Sequence, residues 1–227
     1  DDDDQWVIDK LRKQYDALMH NNNDMIISDY HIKQNNNLIY KSMKSFSSNF
    51  QCEILKRPGP FLQSIMIKKD CLNKMKNEEI RVSVFDDAAI PSEDWDFFIS
   101  LSKCNPIIGY VPEPLFTWHI HNTNQSLNLL MEAEALTYII DKHYTYIKET
   151  HGSCVTSQHY RRIARLYEKI YDDKNTGKEI SKFYLKAFQE NPLSIKNIFY
   201  LIMITLGFKR TKSIIVLLRK MRGIPNA

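Results

Sequence analysis

Apolar positions change their spacing along the chain, and each change predicts an element. Ile8, Leu11, Tyr15 and Leu18 recur at helical spacing, which predicts an amphipathic helix over 6–20 with those four on one face. Asn21-Asn22-Asn23-Asp24 reads as a turn. Met25 to Tyr30 reads as a short buried strand. Residues 33–50, rich in Asn and Ser, predict an exposed loop or edge hairpin, and Arg57-Pro58-Gly59-Pro60 a turn. Phe61 to Lys68 is apolar and leads into a helix from Lys69 to Met75; residues 76–92 look irregular. Ser92 is a good N-cap for a helix from Glu93 to about Lys103. Ile107 to Val111 predicts a strand broken by Pro112 and Pro114, with Leu115 to His121 a second strand.

Past Gln125 the pattern becomes helical, over 127–148, 157–171, 177–190 and 194–220, with a break near Gly207. Tyr184, Ala187, Asn191 and Pro192 resemble the closing half of a helical-hairpin repeat; one such unit cannot form a solenoid and serves as packing material. The expected fold class is therefore α/β over residues 1–126, followed by an all-helical region over 127–227.

Composition narrows this picture. The 227 residues are 43% hydrophobic, with 12 Tyr and 11 Phe, enough for one large domain or a domain with a helical appendage. A net charge of +4 is too weak to imply nucleic acid. The segment Lys209 to Arg222, however, holds six cations and no acid, which suits either an anionic membrane surface or an acidic partner, or is simply a solvated helix face. Cys52, Cys71, Cys104 and Cys154 are scattered without metal-ligand spacing and read as reduced thiols of a cytoplasmic protein. The longest apolar run, Ile198 to Phe208, is too short to span a bilayer. The start without Met, inside an acidic cluster, is what a piece of a longer chain would show.

Three constellations carry candidate chemistry. Asp1-Asp2-Asp3-Asp4 crowds four carboxylates, which repel unless a cation sits on them. Asp1 and Asp3 project to the same side of a strand end and suit a hard divalent cation that also touches a diphosphate; a helix-capping Asp4 or a plain surface cluster is the simpler account. Ser92-Glu93-Asp94-Trp95-Asp96 sets three carboxylates at a helix start, either for the dipole or for a general base. There the helix N-terminus is expected to lower the pKa of Asp94 and hold it ionised at neutral pH. Strand alternation places His119 and His121 together on the face of Leu115 and Thr117, opposite Phe116, Trp118 and Ile120, within reach of a metal or phosphate.

Taken in order, these pieces resemble family-2 glycosyltransferases of the GT-A fold. Asp1-Asp2-Asp3-Asp4-Gln5-Trp6 with Lys10-Leu11 and Gln14 is similar to the family's D-x-D-D-x-W…K-L…Q segment. Phe85-Asp86-Asp87 and Ser92-Glu93-Asp94-Trp95-Asp96 resemble its F-D-E…S-E-D-W-D stretch. Gly109-Tyr110-Val111-Pro112-Glu113-Pro114-Leu115 resembles G-Y-V-P-E-P-L, and His119-Ile120-His121…Ser126 sits where R-x-H…S is usual. The resemblance covers residues 1 to about 126 and corresponds to the C-terminal half of a GT-A domain, beginning at the D-x-D motif, without the nucleotide-binding half. It implies an inverting, metal-dependent transfer of a sugar from a nucleotide-diphosphate sugar to a glycan or lipid-linked acceptor, in bacterial surface polysaccharide synthesis. Asp1 and Asp3 match the metal ligands for Mg²⁺ or Mn²⁺, Asp94 the base, Glu93 its partner, and His121 the histidine that approaches metal or diphosphate. His119 replaces the usual Arg, the Gly-Gly before F-D-E is missing, and Lys76 to Val84 is a polar insertion.

Two other readings compete. One is a truncated, inactive glycosyltransferase piece whose helical tail binds a membrane or partner. The other is a metal-dependent phosphohydrolase built on the Asp cluster, which leaves Glu93, Asp94, His119 and His121 unexplained. Residues 195–220 pair apolar and basic positions as interfacial helices do, which predicts peripheral attachment at the cytoplasmic face of the cell membrane.

Overall fold

A computed structural model describes residues 4–35, 37–79, 83–120, 128–170 and 174–205. The described chain is α/β with a mixed sheet. The strands are β1 (Gln5–Trp6), β2 (Met25–Gln34), β3 (Asn37–Lys41), β4 (Ile65–Ile67) and β5 (Ile108–His119). The helices are α1 (Lys10–His20), α2 (Lys44–Ser48), α3 (Phe50–Lys56), α4 (Lys69–Glu79), α5 (Glu93–Lys103), α6 (Leu129–His151), α7 (Ser153–Lys169), α8 (Lys174–Glu190) and α9 (Ile195–Thr205). Two compact units, Asp1–Ile139 and Ile140–Ala227, divide inside α6.

The sheet runs β1-β5-β2-β3, with β4 also paired to β2. β2 and β5 are parallel; the β1–β5, β2–β3 and β2–β4 pairs are antiparallel. β2 is buried from Met25 to Tyr30 because it is the central strand, which is why it opens on the apolar run Met25-Ile26-Ile27. Leu18 of α1 packs with Ile26, Val111 and Leu115. Phe116 stacks on Tyr30, and Phe61 packs against both rings and Trp118. α5 packs mainly on α3, α4 and a 3₁₀ turn at Asp87–Ala89.

Three expectations for this unit change. The first helix begins at Lys10 rather than residue 6, because Gln5 and Trp6 pair with Thr117 and Phe116 and the Val7 N–H donates to the Leu115 carbonyl (3.1 Å). Its buried face is also different: Lys10, Gln14 and Leu18 point inward, while Ile8, Leu11 and Tyr15 are exposed. The inward polar groups are tied down, since Gln14 Nε2 donates to the Ser64 carbonyl (2.9 Å) and Lys10 Nζ to Gln14 Oε1 (2.8 Å). Second, the prolines do not break the last strand. Val111 aligns with Ser28 and Pro114 with Asp29, so Pro112 and Glu113 are extruded as a bulge where a missing N–H costs nothing. Third, residues 33–50 hold the β2–β3 hairpin, but also α2 and the start of α3, anchored by the buried Phe46 and Phe50.

In the second unit Gly152, at φ 73°, joins α6 to α7 by itself. This left-handed conformation lets two long helices meet without a longer loop. α7 and α8 pack through Ile163, Ala164, Ile180, Phe183 and Ala187, with Tyr167 and Phe183 stacked at 5.8 Å. α9 is bonded to this pair by the buried Asn197, whose amide donates to Ser157 Oγ (2.9 Å) and to the carbonyls of Ala187 (2.8 Å) and Asn191 (2.6 Å). Tyr184 and Ala187 are fully buried, as the packing role expected of them requires.

Candidate functional site

The β1–β5 pairing places one group of candidate residues. Its antiparallel register carries Asp4 toward the C-terminal end of β5. Asp4 accepts a hydrogen bond there, from the His119 N–H to Oδ1 (3.1 Å). The last carboxylate of the acidic cluster and the first histidine of the His119/His121 pair are thus neighbours through backbone pairing, although 115 positions separate them. His119 is half-buried at the strand end. Asp1, Asp3 and His121, the metal candidates, lie outside the described residues.

The start of α5 places a second group. Trp95 is the anchor: it is buried, and its indole N–H donates to the Ile54 carbonyl of α3 (2.7 Å). Phe97 and Phe98 extend that contact, Phe97 against Phe85 and Phe98 against Phe50. Asp94 precedes this anchor and is half-buried; its Oδ1 accepts the Trp95 N–H (2.7 Å). Ser92 caps through its carbonyl, which accepts from the Trp95 and Asp96 N–H groups, and not through its hydroxyl. Burial raises the pKa of Asp94 to about 6, with a smaller push from the Glu93 charge, and the Trp95 N–H offsets only part of it. The expected lowering by the helix N-terminus is therefore overturned: desolvation outweighs the dipole. Glu93 Oε2 is buried with no hydrogen-bond partner among the described residues, an uncommon state for a carboxylate oxygen.

The chain thus brings Asp4 and His119 together, and Glu93 and Asp94 together, on different elements. Phe85 and Asp86 lie near the second group: Asp86 Oδ1 accepts from the Ala88 N–H (3.1 Å) and Oδ2 from the Tyr138 hydroxyl (2.8 Å). The insertion from Lys76 begins as the last turn of α4.

Two buried polar groups were not singled out from sequence. Asp29, fully buried in β2, accepts the hydroxyls of Tyr40 and Tyr110 and the Met43 N–H (2.7 Å). Hydrogen bonding to that carboxylate pushes the Tyr40 pKa up to about 12, and burial raises that of Tyr110. The signal was available: an Asp in the middle of an apolar run must be hydrogen-bonded. Lys10 is 2% exposed, stands 4.0 Å from the Trp6 ring centroid, and has Gln14 as its hydrogen-bond acceptor. Burial lowers its pKa to about 8. Lys10 figures in the resemblance, but nothing in the sequence marks its burial, because the apolar positions Ile8, Leu11 and Tyr15 lie on another face.

Among the described residues no three His, Cys, Asp or Glu side chains stand close enough to hold a metal ion. No protein-family model and no curated protein matches this chain.

Proposed function

We propose that this chain carries the metal and acceptor sides of a GT-A-type glycosyltransferase, a hexosyltransferase that moves a sugar with inversion from a nucleotide-diphosphate sugar to a hydroxyl of a glycan or lipid-linked acceptor. Its setting would be bacterial surface polysaccharide synthesis at the cytoplasmic face of the membrane. The observation that carries the reading is Asp94: a half-buried carboxylate at a helix start, held by its own backbone neighbour, with a pKa near 6. A general base works best when its pKa lies close to the working pH.

In this reading Asp94 takes the proton of the acceptor hydroxyl. The acceptor oxygen then forms its bond to the anomeric carbon as the bond from that carbon to the diphosphate oxygen breaks, and the electron pair leaves with the diphosphate. Glu93 keeps a negative field beside Asp94, which disfavours the ionised base and so strengthens it. Asp1, Asp3 and His121 would hold Mg²⁺ or Mn²⁺, and the cation, when bound, neutralises charge on the diphosphate. His119, tied to Asp4, would border the phosphates.

The test is transfer from a panel of nucleotide sugars in the presence of Mn²⁺ or Mg²⁺, comparing wild type with Asp94→Asn. The variant is expected to lose roughly 10²- to 10⁴-fold in rate, and the wild-type rate to fall on the acid side near pH 6. Full activity in Asp94→Asn removes the residue from the base role. No turnover of any donor favours the alternative, an inactive module acting through its helical region.

A further inference from the structure

α9 presents its apolar residues to solvent. Ile195, Ile198, Phe199 and Ile202 recur at i, i+3, i+4 and i+7 and are 41–83% exposed, and Leu193 just before them is more exposed still. The opposite face is already used: Asn197 and Met203 are buried, and Asn197 bonds α9 to α7 and α8. The ridge is therefore not a core face left over by loose packing.

Cations flank it, and Glu168 sits behind it, accepting the hydroxyl of Tyr184 (2.7 Å). The Arg165 guanidinium donates to the Tyr200 hydroxyl (3.4 Å), and the Tyr200 ring stacks on Tyr184 (4.1 Å) and meets Phe199 edge-on (5.6 Å). Arg161 is buried beside it and bonds only neutral groups, Ser157 Oγ (3.1 Å) and Asn197 Oδ1. Lys178 and Lys196 form no ion pair among the described residues, whereas Arg165 lies in the field of Glu168. A groove of about 530 Å³ between α8 and α9 sets Leu185, Leu201 and Ile204 beside Lys178 and Lys182, the latter paired with Glu179 (2.9 Å). From Asn191 to Ala227 the sequence has seven cations and no acid. An acid-free end beside an apolar ridge matches an occupant that is anionic and apolar together.

We infer that the α9 ridge docks on an anionic lipid surface, with Ile195, Ile198, Phe199 and Ile202 entering the interfacial zone and Arg165 and Lys196 meeting lipid phosphates. This deepens the membrane contact expected of residues 195–220 and does not depend on catalysis. Arg165 does double duty, since it also braces Tyr200 behind the ridge.

The experiment is co-sedimentation of the full chain with vesicles of phosphatidylcholine alone or mixed with phosphatidylglycerol, at low and high salt, for wild type, Phe199→Ser/Ile202→Ser and Lys196→Gln. Wild type is expected to bind the anionic vesicles and to dissociate at high salt. The double variant is expected to bind at least tenfold more weakly with an unchanged melting temperature, since its side chains are exposed, and Lys196→Gln severalfold more weakly. No binding of wild type to anionic vesicles overturns the inference. So does a double variant that binds normally but melts earlier, which assigns the ridge to the chain's own C-terminal segment, or one that changes only the oligomeric state, which assigns it to a second copy. Because sedimentation needs no turnover, an inactive enzyme that still binds vesicles refutes only the glycosyltransferase reading.

Discussion

A pKa near 6 at Asp94 means that its charge is disfavoured in the folded state. The sign follows directly. The folded protein holds this proton up to about pH 6 and the unfolded chain releases it near 3.8, so stability falls as pH rises through that window. Asp94→Asn is therefore expected to be about 1–3 kcal/mol more stable than wild type at pH 7, with the gap closing below pH 4, measured by thermal or denaturant unfolding. Equal stability at pH 7 would place the carboxylate in water. Lys10 is the mirror case: the folded state loses its proton near pH 8 and the unfolded chain near 10.5, so stability rises with pH between the two. Lys10→Met should be unchanged to about 2 kcal/mol more stable at neutral pH, with the difference shrinking toward pH 10. Asp29→Ala goes the other way. It strands the buried Met43 N–H and removes the acceptor that Tyr40 and Tyr110 share, at a cost of roughly 1–3 kcal/mol, read as a lower denaturant midpoint. At this scale the sequence showed which carboxylates cluster at Asp94, but not their titration, because desolvation is a property of everything packed around them.

Elements were legible where one face is buried throughout. α5 runs from Glu93 to Lys103, as its cap and apolar spacing predict, and the first half of β2 matches its apolar run. α1 was legible as a helix but not in its orientation. Apolar spacing identifies a stripe, and only the neighbouring groups decide which stripe is buried: here the Ser64 carbonyl accepts Gln14 and draws the polar side inward. β5 was read as two strands because Pro112 and Pro114 remove ladder donors; the bulge opposite Ser28 and Asp29 absorbs Pro112, and Pro114 aligns with Asp29. The close approach of β5 to β2 and the preceding turn depends on Gly109, where an added Cβ would come closer than 3.0 Å to the Ile26 and Asn23 side chains. Gly109→Ala should cost about 1–3 kcal/mol, seen as an earlier melting transition; an unchanged transition would mean that both side chains can move aside.

On the scale of the whole molecule, charge is the dominant asymmetry. The net charge is +4, and the 37 residues from Asn191 to Ala227 contribute +7, which leaves −3 for residues 1–190. The chain is thus a mildly acidic body with a cationic, apolar end, and no helix among the described residues is long and apolar enough to cross a membrane. Adding Mn²⁺ or Mg²⁺ is expected to raise the melting temperature of wild type but not of Asp1→Ala/Asp3→Ala, because a ligand of the folded state stabilises it by mass action. No shift in either would remove the metal from the acidic cluster.

By itself, the sequence determined the α/β class, the carboxylate groups at Asp1–Asp4 and at Glu93–Asp94, and the basic, acid-free end, because composition and local period are properties of neighbours along the chain. Tertiary structure alone decided that Asp4 meets His119, that Asp94 is a raised and not a lowered acid, that Lys10 is buried, and that α9 turns its apolar stripe outward. Each of these depends on strand register or on which face of a helix is covered. Both are settled by contacts between residues far apart in sequence, where periodicity carries no information.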